Sequence, residues 1–223
     1  MQDATSRSNP RRHLAQRLLA CGLAAGPSYI LLGLAQVLTR EGFDVRRHAL
    51  SLMSNGPGGW VQIANFVTSG VLVIAGAVGV RLALHPGRGG TWGPILLSVY
   101  GVGLIGAGIF VADPGAGFPP GTPERVGMTR EGLLHFAFGG IGFYGLIAAC
   151  FVFARRFASR GRRAWALYSL FTGIAFFVSF AAIASGSISA ATMLAFYGAV
   201  VWVWLWHTAL CKTLRADLRN DEP

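Results

Sequence analysis

Charge is what this sequence lacks most. Asp, Glu, Lys and Arg make up 13% of its 223 residues, roughly half the share found in soluble domains. That scarcity excludes a water-facing surface over most of the chain and makes lipid the main solvent. Carboxylates are rarest, nine against nineteen Lys and Arg, and Asp and Glu stop at the edges of the apolar runs. Ion or proton transport calls for an acidic group near the membrane midplane, so only an uncharged substrate suits a transporter here. Cysteine is nearly absent: Cys21, Cys150 and Cys211 show no paired spacing and read as packing residues. No HxxxH, HExxH or nucleophile-elbow motif occurs. A basic face interleaved with aromatics is missing too, so the net charge of +10 does not signal nucleic-acid binding.

Apolar sequence fills the space that charge leaves. Six runs, at 18–38, 61–84, 93–112, 133–154, 164–184 and 190–211, can each span a hydrocarbon core of about 30 Å, which takes roughly 20 helical residues. The expected fold is all-α, an integral membrane bundle of six transmembrane helices. It comprises a polar tail (1–13), the bundle (14–211) and a second tail (212–223), with no room for a soluble domain. Fourteen of the nineteen basic residues fall on the side of both termini and five on the other, which predicts cytoplasmic N- and C-termini. Trp92, Trp165 and Trp206 are expected at the inner boundary and Trp60 at the outer one. "RRHLAQRLLAC" lacks the short apolar region that a cleaved leader needs, so no cleavage is expected.

Helix periodicity assigns faces. Gln62, Asn65, Ser69, Gly76 and Gly79 share one side of the second span, and His135, Gly139, Gly142 and Ala149 one side of the fourth. Small residues permit close helix approach in lipid, so His135 is expected to point into the bundle. Spans five and six are polar only through Ser and Thr and read as scaffold. The two long connectors, 39–60 and 113–130, lie on the same outer side. The second carries Pro114, Pro119, Pro120 and Pro123, which fix φ and favour a shaped lid over a slack loop.

The segments "GFDVRRHALSLMSNGPGGWVQIANF", "FVADPGAGFPPGTP" and "LLHF" resemble the domain-of-unknown-function 998 family of polytopic membrane proteins. The resemblance extends to the six-span layout and rests on Gly42, Asp44, His48, Ser51, Asn65, Asp113, Pro114, Gly117, Pro119 and His135. It implies a bacterial or archaeal inner-membrane protein, and it brings no catalytic residues with it.

The polar residues expected near the outer ends are Asp44, Arg47, His48, Gln62, Asn65, Asp113, Glu131 and His135. Ionisable groups at membrane depth suggest function. The plainer alternative is that they cap helices and tie the loops down; Glu131 and His135, for example, are spaced for a local pair. A metal site would draw on His48, His135, Asp44 and Asp113 from separate elements. Haem would need two facing histidines, and His48/His135 or His85/His207 each pair a loop residue with a helical one; His13 lies in the tail. No metal or cofactor is therefore expected. The reading favoured is an outward-facing polar pocket roofed by two long loops and binding a lipid head group or small amphiphile. In it Asp44, Arg47, Gln62, Asn65 and Glu131 serve as ligand contacts, with Arg47 meeting an anionic group. The alternatives are a lipid or ester hydrolase using His48, Asp113 and His135, with Ser51 or Ser54 as nucleophile, or a transporter of an uncharged substrate. Membrane lipids are the expected partners, and a homo-oligomer is allowed.

Overall fold

The computed structural model describes residues 10–186 and 189–220. Residues 1–9 and 221–223 of the two expected tails, and 187–188 of the connector before the sixth span, lie outside the described residues. Six long helices make up most of the rest: α1 (Pro10–Thr39), α2 (Gly59–Leu84), α3 (Arg88–Ile109), α4 (Arg130–Ser159), α5 (Arg163–Ala184) and α6 (Ala190–Asn220). A short 3-10 helix, Leu50–Ser54, interrupts the first long connector. No strand occurs among the described residues. All six helices are long and apolar enough to cross a membrane, so this is an all-helical multi-pass membrane protein.

The helices overrun the apolar runs. α1 begins at Pro10 rather than 18, and α6 continues to Asn220 rather than 211. Hydropathy marks only the part of a helix that meets hydrocarbon; the flanking Arg, Lys, Gln and Leu are good helix formers and extend it. At the other end of the scale, α4 and α5 are joined by a tight turn. Gly161, at φ +72°, follows the α4 terminus while Arg162 N–H donates to the Phe157 carbonyl at 2.9 Å, which ends the helix and reverses the chain.

Consecutive helices pack side by side and α6 returns against α1, so the bundle is a closed ring. Small residues make the seams. A Cβ built on Gly22 of α1 would lie 2.9 Å from the Cα of Gly76 on α2, and one built on Gly103 of α3 would lie 2.7 Å from the Cα of Gly142 on α4. Backbone meets backbone at both crossings, as expected where lipid offers no hydrophobic drive between helices. Aromatics fill the interior: Trp204 lies between Tyr29 at 4.8 Å and Tyr100 at 5.6 Å. Trp206 is fully buried and donates from Nε1 to Ser169 Oγ at 3.0 Å. Trp60 and Trp92 are exposed.

Contacts between connectors set the two ends of the bundle. The α1–α2 and α3–α4 connectors meet at one end, where Arg47 reaches Glu124. At the other, Arg162 of the α4–α5 turn pairs with Asp217 of α6 at 2.9 Å, and Arg12 of α1 donates to the Leu218 carbonyl.

Candidate functional site

The two long connectors form a packed cap. Its centre is Phe118, fully buried, with Phe43 edge-on at 5.3 Å, His48 at 5.4 Å and the Arg40 guanidinium over the ring at 5.4 Å. Arg40 also donates to the carbonyls of Met53 (3.0 Å) and Asn55 (2.5 Å). Burial lowers its pKa from the ordinary value, yet a guanidinium stays charged. Only glycine suits positions 42 and 56, both at positive φ, where an added Cβ would come within 2.8 Å of the Pro120 and Pro119 rings. The prolines thus shape the lid by contact as well as by fixing φ.

His48 latches the cap. Its Nδ1 accepts from the Asp44 N–H at 2.9 Å, so Nε2 carries the proton and donates to the Ala116 carbonyl at 3.0 Å. Both ring nitrogens are committed, in the neutral form. From the bundle, Tyr197 of α6 donates its hydroxyl to the His48 carbonyl at 2.8 Å. Asp44 Oδ1 accepts from the Arg46 N–H at 2.8 Å, and Arg47 pairs with Glu124 at 2.5 Å on the exposed surface of the cap.

Asp113 organises the start of α4. Its Oδ2 accepts from the Thr129 N–H at 2.8 Å and its Oδ1 from the Thr129 hydroxyl at 2.5 Å. Thr129 in turn caps the helix by accepting from the Gly132 N–H at 3.1 Å. Glu131 is exposed in the same first turn, where a carboxylate suits the helix dipole. His135 does not pair with it. Its Nδ1–H donates to the Ala107 and Phe110 carbonyls at 3.0 and 2.9 Å, satisfying the open end of α3 and leaving Nε2 with the lone pair. His48, Asp113 and His135 each bond to separate partners, and no hydrogen bond joins them among the described residues.

Gln62 and Asn65 turn toward α1. Gln36 Nε2 donates to Gln62 Oε1 at 2.8 Å, and Asn65 Nδ2 donates to the Tyr29 carbonyl at 3.2 Å. All three residues are buried, forming a polar seam between the two helices.

Beneath the cap, at the centre of the ring, is a cavity of about 100 Å³. Every helix contributes to its wall: Tyr29 (α1), Phe66 (α2), Tyr100 (α3), His135 (α4), Phe176 (α5) and Tyr197 (α6), with Leu50 and Ser51 of the 3-10 helix as lid. Among the described residues, no ionised side chain faces it. Tyr29 and Tyr100 are 8% and 3% exposed, and among the described residues neither hydroxyl has a hydrogen-bond partner. On the lipid side of the α1–α6 seam runs a groove of about 390 Å³ that shares Tyr29, Leu50, Tyr197 and Val200 with the cavity. One set of side chains separates the bilayer from the interior.

The profile of the family described as "Protein of unknown function (DUF998)" matches residues 23–213. The chain belongs to that family. No curated protein and no solved structure matches it. Most positions that carry the DUF998 resemblance meet in the cap: Gly42 faces Pro120, His48 holds Ala116, and Asp113 holds Thr129. In this DUF998 chain α5 and α6, expected as scaffold, supply cavity wall. Sequence reasoning missed Gln36, Phe118, Thr129, Tyr29 and Tyr197. Gln36 was visible as a lone amide in the first apolar run, and Thr129 as a Thr heading "TREG" before an apolar helix. Phe118 carried no signal, because one aromatic in a proline-rich loop looks solvent-facing. No cluster of three or more metal-ligating side chains occurs among the described residues.

Proposed function

We propose that the protein binds a small neutral amphiphile drawn from the membrane. Its hydrogen-bonding head occupies the central cavity and its tail lies in the α1–α6 groove. The observation that carries this reading is the pair of hydroxyls of Tyr29 and Tyr100, two tyrosines of the cavity wall for which no protein hydrogen-bond partner occurs among the described residues. A tyrosine hydroxyl can both donate and accept, so a ligand head bonding both would be favoured, with His135 Nε2 as a further acceptor. The cavity, at about 100 Å³, suits a head of a few heavy atoms. The absence of ionised wall residues favours a neutral ligand over the anionic one that Arg47 suggested, since Arg47 is occupied by Glu124.

The arginine distribution supports placing both termini in the cytoplasm and the cap outside, in the cell membrane of a bacterium or archaeon. A hydrolase is less favoured, because His48 has no free nitrogen to act as base.

Gly139 provides the test. It lines the cavity, and a Cβ there meets nothing within 4 Å, so Gly139→Met fills the space without a backbone clash. Native mass spectrometry in mild detergent should show a neutral amphiphile on the wild type. Its retention should fall about tenfold or more in the variant, a loss of ~1.4 kcal/mol, with the unfolding temperature unchanged. A wild type that carries no such molecule, or a variant that keeps it equally well, would overturn the reading.

A further inference from the structure

At the end of the bundle opposite the cap, a recess of about 430 Å³ is walled by Arg88, Arg155, Arg156 and Arg160, with Trp92 and Ser159 beside them. Arg88 is the first residue of α3, where the helix dipole adds further positive potential. The Arg156 stem lies across Gly89, close enough that a Cβ at Gly89 would strike it, so this guanidinium is held in place by packing. The ion pairs among the described residues are Arg47–Glu124 and Arg162–Asp217; none involves the recess. Four cations gathered at a lipid boundary without an ion-pair partner among the described residues repel one another, and an anion relieves that repulsion.

The surroundings indicate which anion. Trp92, 57% exposed, stands at the rim in the manner of interfacial tryptophans. Further along α3 a mostly apolar groove of about 730 Å³ lies between α2, α3 and α4, lined by Ile95, Val99, Val102, Phe138 and Ile141, with Arg81 in its wall. Trp92, Ile95, Val99 and Val102 follow one face of α3. At 1.5 Å per residue the path from Trp92 to Val102 covers roughly 15 Å, half of a ~30 Å core and thus one leaflet. A soluble anion would have no use for such a groove.

We propose that this recess binds the phosphate of an anionic phospholipid, with an acyl chain lying along the α2–α3–α4 groove. This site is separate from the central cavity and does not depend on it.

The test is a thermal-unfolding titration in neutral detergent with phosphatidylglycerol, phosphatidylcholine or inorganic phosphate. Wild type is compared with Arg155→Gln/Arg160→Gln, two exposed positions, and with Arg46→Gln/Arg125→Gln, an equal charge loss at the cap. Each arginine near an anionic lipid surface is worth about a factor of five. The half-saturating phosphatidylglycerol concentration should therefore rise about 30-fold in the recess variant and stay within about twofold in the cap variant. The proposal is overturned if phosphatidylcholine stabilises as well as phosphatidylglycerol, if inorganic phosphate alone gives the same shift, or if both variants weaken equally.

Discussion

His48 shows how a residue that looks catalytic can be spent on structure. Its two nitrogens join the backbone of one loop, at Asp44, to that of the other, at Ala116. Proton transfer would require breaking one of those bonds. His48→Ala would leave the part-buried Asp44 N–H and Ala116 carbonyl without their partner and open a void beside Phe118. The expected loss is about 2–4 kcal/mol in reversible unfolding, against about 0–1 kcal/mol for Arg47→Ala, whose ion pair is exposed. Equal, small losses in the two variants would mean that the cap does not depend on the latch. In the sequence, His48 and Asp113 stood out because polar groups near membrane depth are conspicuous. Their partners did not. One is a backbone carbonyl and the other a threonine sixteen residues away, and neither relation leaves a periodic mark.

Elements were far more legible than partners. Every transmembrane helix appears in the sequence as an apolar run of the necessary length, since hydrocarbon tolerates little else. Gly76 and Gly142 were likewise readable as seam residues from helical spacing. Closure of the ring was not, because α1 and α6 lie at opposite ends of the chain. Their contact relies on fits such as Gly26 beneath Thr208. The pairing of connectors puts the Ala116 loop and the Arg162 turn at opposite ends of the bundle. With the arginine-rich end inside, a membrane-impermeant maleimide applied to intact cells should label a Cys21→Ser/Ala116→Cys variant. It should not label Cys21→Ser/Ser159→Cys until the cells are opened. The reverse pattern would turn the cap to the cytoplasm.

The whole molecule is a ring of helices closed at one end by a lid and separated from lipid, between α1 and α6, by Tyr29, Leu50 and Tyr197. On the proposed reading, the cavity's uncharged wall and the lipid-facing groove beside it suit a guest that arrives through the bilayer, not from water. Sequence reasoning placed a pocket under the outer loops but lined it with Gln62, Asn65 and Arg47. The structure puts the two amides in the α1–α2 seam and the arginine on the surface, because amides buried in hydrocarbon bond to one another and a guanidinium seeks a carboxylate. The most direct test is an experimental density map of the protein in nanodiscs of its native lipids. The account predicts continuous non-protein density from the central cavity past Leu50 and Tyr197 into the α1–α6 groove. A cavity holding only discrete waters, with α1 and α6 sealed against the bilayer, would contradict it.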